Sequence, residues 1–220
     1  MISFLFLMAC TSSSMDSGKA FVPLVQIEVQ ILDAMTGVKS GVTLRTEHSE
    51  ETTDSEGKAS VLVSGNQDAI ITAESANYMV HHIVGFAKEE DFSMVSLIAS
   101  RSTTSQVYSM LGISVDDSKG VVIVALDDPN LYPATGAQAS ISSTHDGAFV
   151  FTATGVQQSD TVQSYGFVAF PNVEVGTTKI SVTPPTGQQC WLHAGGEKGA
   201  NHDVDVVADE VTVALFQCDF

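Results

Sequence analysis

The chain has 220 residues, of which 44% are hydrophobic, and that proportion of apolar side chains supplies a core and excludes global disorder. Nine Lys and Arg stand against 26 Asp and Glu, giving a net charge of −17 and a pI near 4.4. With no basic cluster to displace counterions from phosphate, nucleic-acid binding is excluded, and attachment to an anionic lipid surface by charge is excluded with it.

The first element is the apolar run Ile2–Ala9, followed by Cys10 and the polar stretch Thr11-Ser12-Ser13-Ser14-Met15-Asp16-Ser17-Gly18. A spanning helix needs about 20 apolar residues, so this run is too short to cross a bilayer, but it has the length of a signal-peptide core. Leu7-Met8-Ala9-Cys10 resembles the bacterial lipobox, although Met8 departs from the usual pattern and no Lys or Arg precedes the run. The resemblance implies a signal peptide over 1–9 and lipidation of Cys10, with residues 10–20 as a flexible tether. Thr11 after the cysteine points to the outer membrane. The competing reading makes Phe4–Met8 a first strand with Cys10 in a core.

From Phe21 the chain reads as short strands separated by turns, the pattern of a β-sandwich. Val25–Ile31 alternates apolar and polar residues, Asp33–Gly37 is a turn, and Val42-Thr43-Leu44 alternates again. Thr53–Gly57 is a second turn before Ala59–Val63, and Ala69–Ala73 and Tyr78–Val84 supply further strands. Val107, Met110 and Leu111 have helical spacing, with Ser or Thr available as a cap and Gly112 as a stop. This predicts a first β-sandwich domain over 21–99, a linker and short helix over 100–112, and a second β-sandwich domain over 113–220. In the second half the order recurs: Val121–Leu126, the turn Asp127–Asn130, Ala137–Ile141, Gly166–Phe170, Thr178–Thr183 and the closing strand Val211–Phe216. Landmarks repeat at about 95–110 residues, which reads as an internal duplication. The fold class is therefore all-β, with two tandem sandwiches and one short helix.

The pattern carried by Asp33, Gly41, Val42, Leu44, Thr53, Asp54, Gly57 and Ala59 resembles the carboxypeptidase-regulatory-like domain, a transthyretin-like sandwich of the prealbumin and immunoglobulin type. Asp127, Gly136, Ala137, Gly166, Ala169, Phe170-Pro171-Asn172-Val173 and Gly176 carry it in the second copy, with insertions at Ser143–Ser164 and Cys190–Val204. The resemblance implies an accessory, non-enzymatic fold. Related adhesin domains can form a Lys–Asn isopeptide bond, but Val25–Ile31 holds no Lys and the closing strand no Asn, so none is expected.

With Cys10 lipidated, Cys190 and Cys218 remain as a pair in an oxidising compartment, either bridged or as buried free thiols. A bridge would contribute roughly 3–4 kcal/mol by loop-closure entropy. Cys190, His193, His202 and Cys218 are zinc-type ligands in a spacing that fits no standard site, so no metal or other cofactor is expected. Neighbours in a strand point to opposite faces, so His81 and His82 cannot easily share an ion and read as surface or edge histidines. The carboxylate pairs Asp116-Asp117, Asp127-Asp128 and Asp203/Asp205 lie near turns, where Asp bonds its own backbone; a weak calcium site is the alternative. No G-x-S-x-G, S-x-x-K set or H-E-x-x-H motif occurs, so the chain is not expected to be an enzyme. The loop Cys190–Asp203 carries the only tryptophan, Trp191, beside His193, His202 and Asp203. Exposed, Trp191 would meet a sugar or a protein; folded back, it would cover the sandwich end. These readings combine into a bacterial outer-membrane lipoprotein, on its periplasmic or surface face. It would be a structural or protein-binding component of an envelope assembly, or alternatively a carbohydrate-binding accessory module.

Overall fold

A computed structural model describes residues 22–33, 35–193 and 201–219. The fold is an all-β sandwich with one helix. In the first half, β1 (Leu24–Asp33) lies between β5 (Lys58–Ser64), antiparallel to it, and β8 (Phe92–Ile98), parallel to it. The two-residue β2 (Gly37–Val38) extends β1 past the end of β5. The facing layer pairs β6 (Gln67–Glu74) with β3 (Thr43–Arg45) and β7 (Val80–Ala87), and β4 (Glu50–Thr52) forms its rim. Val25, Ile27, Val29 and Ile31 are wholly buried while the residues between them face outward, as the alternation requires.

The second half repeats this pairing. β9 (Gly120–Asp127) lies between antiparallel β13 (Phe167–Val173) and parallel β17 (Glu210–Asp219), as β1 does between β5 and β8. β14 (Gly176–Thr183) lies between β10 (Gln138–Ile141) and β16 (Asn201–Val206), as β6 does between β3 and β7. Two hairpin pieces are additions: β11 (Phe149–Thr152) with β12 (Gly155–Gln158) beyond β13, and β15 (Gln189–Leu192) against β17.

The halves are joined through β17, which also pairs in parallel with β7. One ten-stranded sheet therefore runs β12-β11-β13-β9-β17-β7-β6-β3-β4, with β15 on β17. The β1 sheet covers one face of it and the β14 sheet covers part of the other. Ile83, Val121, Val211 and Val213 enter one core, and Val84, Val122, Ala214 and Phe216 enter the other. Strands buried on both faces need apolar side chains at successive positions, which is why β9 and β17 read as nearly unbroken apolar runs.

Helix α1 (Arg101–Leu111) is capped by the Ser100 side chain, which accepts the Thr103 N–H, and ends at Gly112 with φ of 69°. Its buried residue is Tyr108, whereas Met110 is 69% exposed; the anticipated Val107–Met110–Leu111 stripe does not form the packing face. Tyr108 fits because its ring fills the core and its hydroxyl accepts the Asn172 N–H at 3.4 Å. The aspartates act as turn-formers: Asp33 Oδ1 accepts the N–H groups of Met35 and Thr36, and Asp128 Oδ1 those of Asn130 and Tyr132.

Candidate functional site

Cys10 and the expected signal and tether segments lie outside the described residues, as do positions 194–200 of the Trp191 loop. Cys190 and Cys218 are register partners in the β15–β17 ladder and are joined by a disulfide. With both sulfurs so occupied, they cannot serve with His193 and His202 as zinc ligands. Among the described residues no group of three or more metal-type ligands occurs.

His193 acts as a backbone link. Its N–H donates to the Leu215 carbonyl (2.7 Å), and its carbonyl accepts the Phe86 N–H (2.9 Å), continuing the contact between β17 and β7. Its ring lies 6.0 Å from that of Phe92, and burial lowers its pKa. His202 Nε2 lies 3.6 Å from Asp68 Oδ2, tying β16 to β6. Asp203 is exposed on β16, opposite Lys179 of β14. Trp191 is half-buried. The residues of this loop thus go to different faces and do not converge on one pocket.

His81 departs from the surface or edge position expected for it. It is wholly buried, with Nδ1 donating to the Met79 carbonyl (2.8 Å) and Nε2 accepting the Ala99 N–H (3.3 Å). Desolvation pushes its pKa down to about 4, so the ring is neutral. His82 points to the opposite face and meets the Glu210 carboxylate across the β7–β17 seam.

A surface the expectations did not single out is defined by missing charge. Residues 129–173 contain Asp146 and Asp160 as their sole Asp, Glu, Lys or Arg, in a chain with 35 such residues. The low count concentrates on β11, β12, β13 and the turn after β9. Leu131 is 53% exposed, Tyr132 68% and Tyr165 56%. Leu131 holds φ of 65°, a conformation costly for a bulky side chain, and the Asp128 carboxylate fixes the turn around it. The rings of Phe151 and Phe167 lie 5.0 Å apart at a tilt of 44°, both half-buried.

The two ends of the ten-stranded sheet differ in the same way. At one end β4 presents Glu50-Glu51-Thr52, all exposed, a charged rim of the kind that discourages strand addition. At the other, β12 carries no charge; Gln157 and Gln158 are exposed, Gly155 and Val156 are half-buried, and helix α1 lies near the strand. The signal for this edge, a charge-free run within an acidic sequence, was available in the sequence.

Beyond this edge lies a row across the top of the same sheet. Gln217 is the register partner both of Asp127 on β9 and of Trp191 on β15. Leu126, Phe216, Cys218, Cys190 and Leu192 enter the second core, so alternation puts Asp127, Gln217 and Trp191 together on the opposite face. Burial, aided by the neighbouring Asp128, raises the Asp127 pKa to about 7. Gly166 is required beside it, since a Cβ there would lie 2.4 Å from Asp127 Oδ1.

No family model matches the chain, and no curated protein does. Among solved structures it is similar to the minor pilin GBS52 of Streptococcus agalactiae, with 14% identity over 89% of this chain and 95% of that one and a TM-score of 0.32. It is similar also to the TIE protein of Bacillus anthracis, at 12% identity over 90% of this chain and a TM-score of 0.29, where it spans only 34% of the other chain. The shaft pilin SpaA of Lactobacillus rhamnosus GG is matched at 11% identity over 88% of this chain and 97% of that one, with a TM-score of 0.26. Scores of this size carry no functional assignment.

Proposed function

We propose that the chain is a non-enzymatic structural component of a bacterial envelope assembly, built on transthyretin-like modules and held at the outer membrane through Cys10. It would bind a protein partner by strand addition at β12. The observation that carries this reading is the contrast between the two rims of the ten-stranded sheet: charged at β4, charge-free at β12. Strand addition gains main-chain hydrogen bonds, and a neutral rim avoids the repulsion that a net charge of −17 imposes elsewhere. The half-exposed Phe151 and Phe167 beside the rim offer apolar anchors to the added strand. The experiment is capture of envelope proteins on the folded chain and on Gln157→Lys, which puts a charge on the rim. Loss of the captured protein in Q157K supports the reading, and equal capture opposes it.

A second reading, a carbohydrate-binding accessory module, draws on a different observation, the row Asp127–Gln217–Trp191.

A further inference from the structure

We propose that Asp127, Gln217 and Trp191 form a binding subsite for a neutral saccharide, a proposal that rests on the second reading above and is independent of the β12 rim. Adjacent strands lie roughly 4.8 Å apart, so three side chains in one cross-strand row span about 10 Å, a length suited to one or two sugar rings. The row combines three complementary chemistries. The indole face of Trp191 is a platform for the C–H face of a pyranose. The Gln217 amide offers both donors and an acceptor to vicinal hydroxyls, and the Asp127 carboxyl adds acceptor oxygens.

The site is held rigidly. Cys190 precedes Trp191 and Cys218 follows Gln217, and the disulfide between them ties the two strands on the core side. Preorganisation of this kind lowers the entropy lost when a ligand binds. Next along the same face, Ala125 pairs with Phe167 on one side and Leu215 on the other. Leu215 belongs to the first core and Ala125 packs against it, so the row stands where that core ends. Among the described residues no hydrogen bond engages the Asp127 carboxyl, and burial partly desolvates it, which leaves its oxygens available to a ligand.

Charge selects the class of sugar. The segments that build the site, 124–138, 161–173, 188–193 and 211–219, contain no Lys or Arg. A phosphorylated, sulfated or carboxylated sugar would meet Asp127 and Asp128 with no counter-charge from these described segments, which favours an uncharged ligand.

Trp191 is the only tryptophan, so its fluorescence reports this site alone. The full chain is titrated with neutral hexasaccharides of glucose, xylose, mannose and N-acetylglucosamine, and with galacturonate hexasaccharide as the anionic comparison. The expected result is saturable change in Trp191 emission with at least one neutral sugar and none with the anionic one. Gln217→Ala and Asp127→Ala should each weaken that binding by about tenfold, with far-UV circular dichroism and melting temperature confirming that both variants remain folded. Silence of emission and of titration heat with all four neutral sugars at millimolar concentration overturns the proposal. So does binding that is indifferent to both substitutions. Either failure leaves capture at β12 unaffected, because that is read by partner recovery and by Gln157.

Discussion

Arg101, the first residue of the helix between the two halves, makes a two-pronged contact with Asp209 in the turn that leads into β17, at 2.6 and 2.8 Å. The turn that launches the shared strand is thereby fastened to the helix between the two halves. Both side chains are substantially exposed, so solvent screens the pair. Arg101→Ala should cost no more than about 1 kcal/mol in urea unfolding, and the loss should shrink as salt is raised. A larger loss that salt does not reduce would mean that the helix contributes through packing instead.

The disulfide closes a segment with a sequence separation of 28. Replacing both cysteines with Ala should lower stability by roughly 3–4 kcal/mol by loss of loop-closure entropy in the unfolded state. Trp191 sits beside Cys190 in β15, so its emission should shift with the reduction of the wild-type chain. Stability unchanged by the double substitution would show that β15 is held by its ladder alone.

Two buried groups give opposing pH dependences. His81 has a folded pKa of about 4, below its ordinary 6.5, so the unfolded chain binds the extra proton first. Stability from His81 is full above about pH 6.5 and is lost as pH falls toward 4, up to about 3 kcal/mol. Asp127 has a folded pKa of about 7, above its ordinary 3.8, so here the folded chain holds the proton longer. Its contribution is favourable at low pH and is lost as pH rises from about 4 to 7. The wild-type profile between pH 4 and 7 should be nearly flat. Unfolding of His81→Gln should then show stability falling with rising pH, and Asp127→Asn the reverse. Parallel profiles in the three proteins would contradict this.

Gly166→Ala should destabilise by about 1–3 kcal/mol in thermal or urea unfolding, because the new Cβ would meet the Asp127 carboxylate and φ is 69°. The same change in Asp127→Ala should cost less, since one of the two penalties is then gone. Equal costs in both backgrounds would attribute the whole effect to the backbone.

The individual strands were legible because alternation is local: Val25 to Ile31 announce a half-buried strand without any knowledge of partners. The Asp turns were legible for the same reason, as Asp33 and Asp128 bond N–H groups within four residues. The duplicated pairing could be read from landmark order. What escaped was long-range. The β7–β17 pairing joins Val80 to Glu210, and no local pattern encodes it, although the apolar runs of β9 and β17 mark strands buried on both faces. His81 was misplaced because what covers it is also distant in sequence: it faces the first core side of β7, where the segment after β8 brings the Ala99 N–H to its ring. Met110 misled because helical spacing identifies a stripe but not the residue that faces the neighbour. The β12 rim required comparison of charge along the whole chain, since four uncharged residues have no meaning by themselves.

Site-specific photocrosslinking tests the central claim, that the neutral rim docks a partner strand. A benzophenone amino acid is placed at Gln157 on β12 and, separately, at Glu51 on β4, and the full chain is irradiated in cells. The account predicts a discrete crosslinked protein from position 157 and none from position 51. The same product from both positions, or none from 157 while the chain is folded and in the envelope, would contradict it.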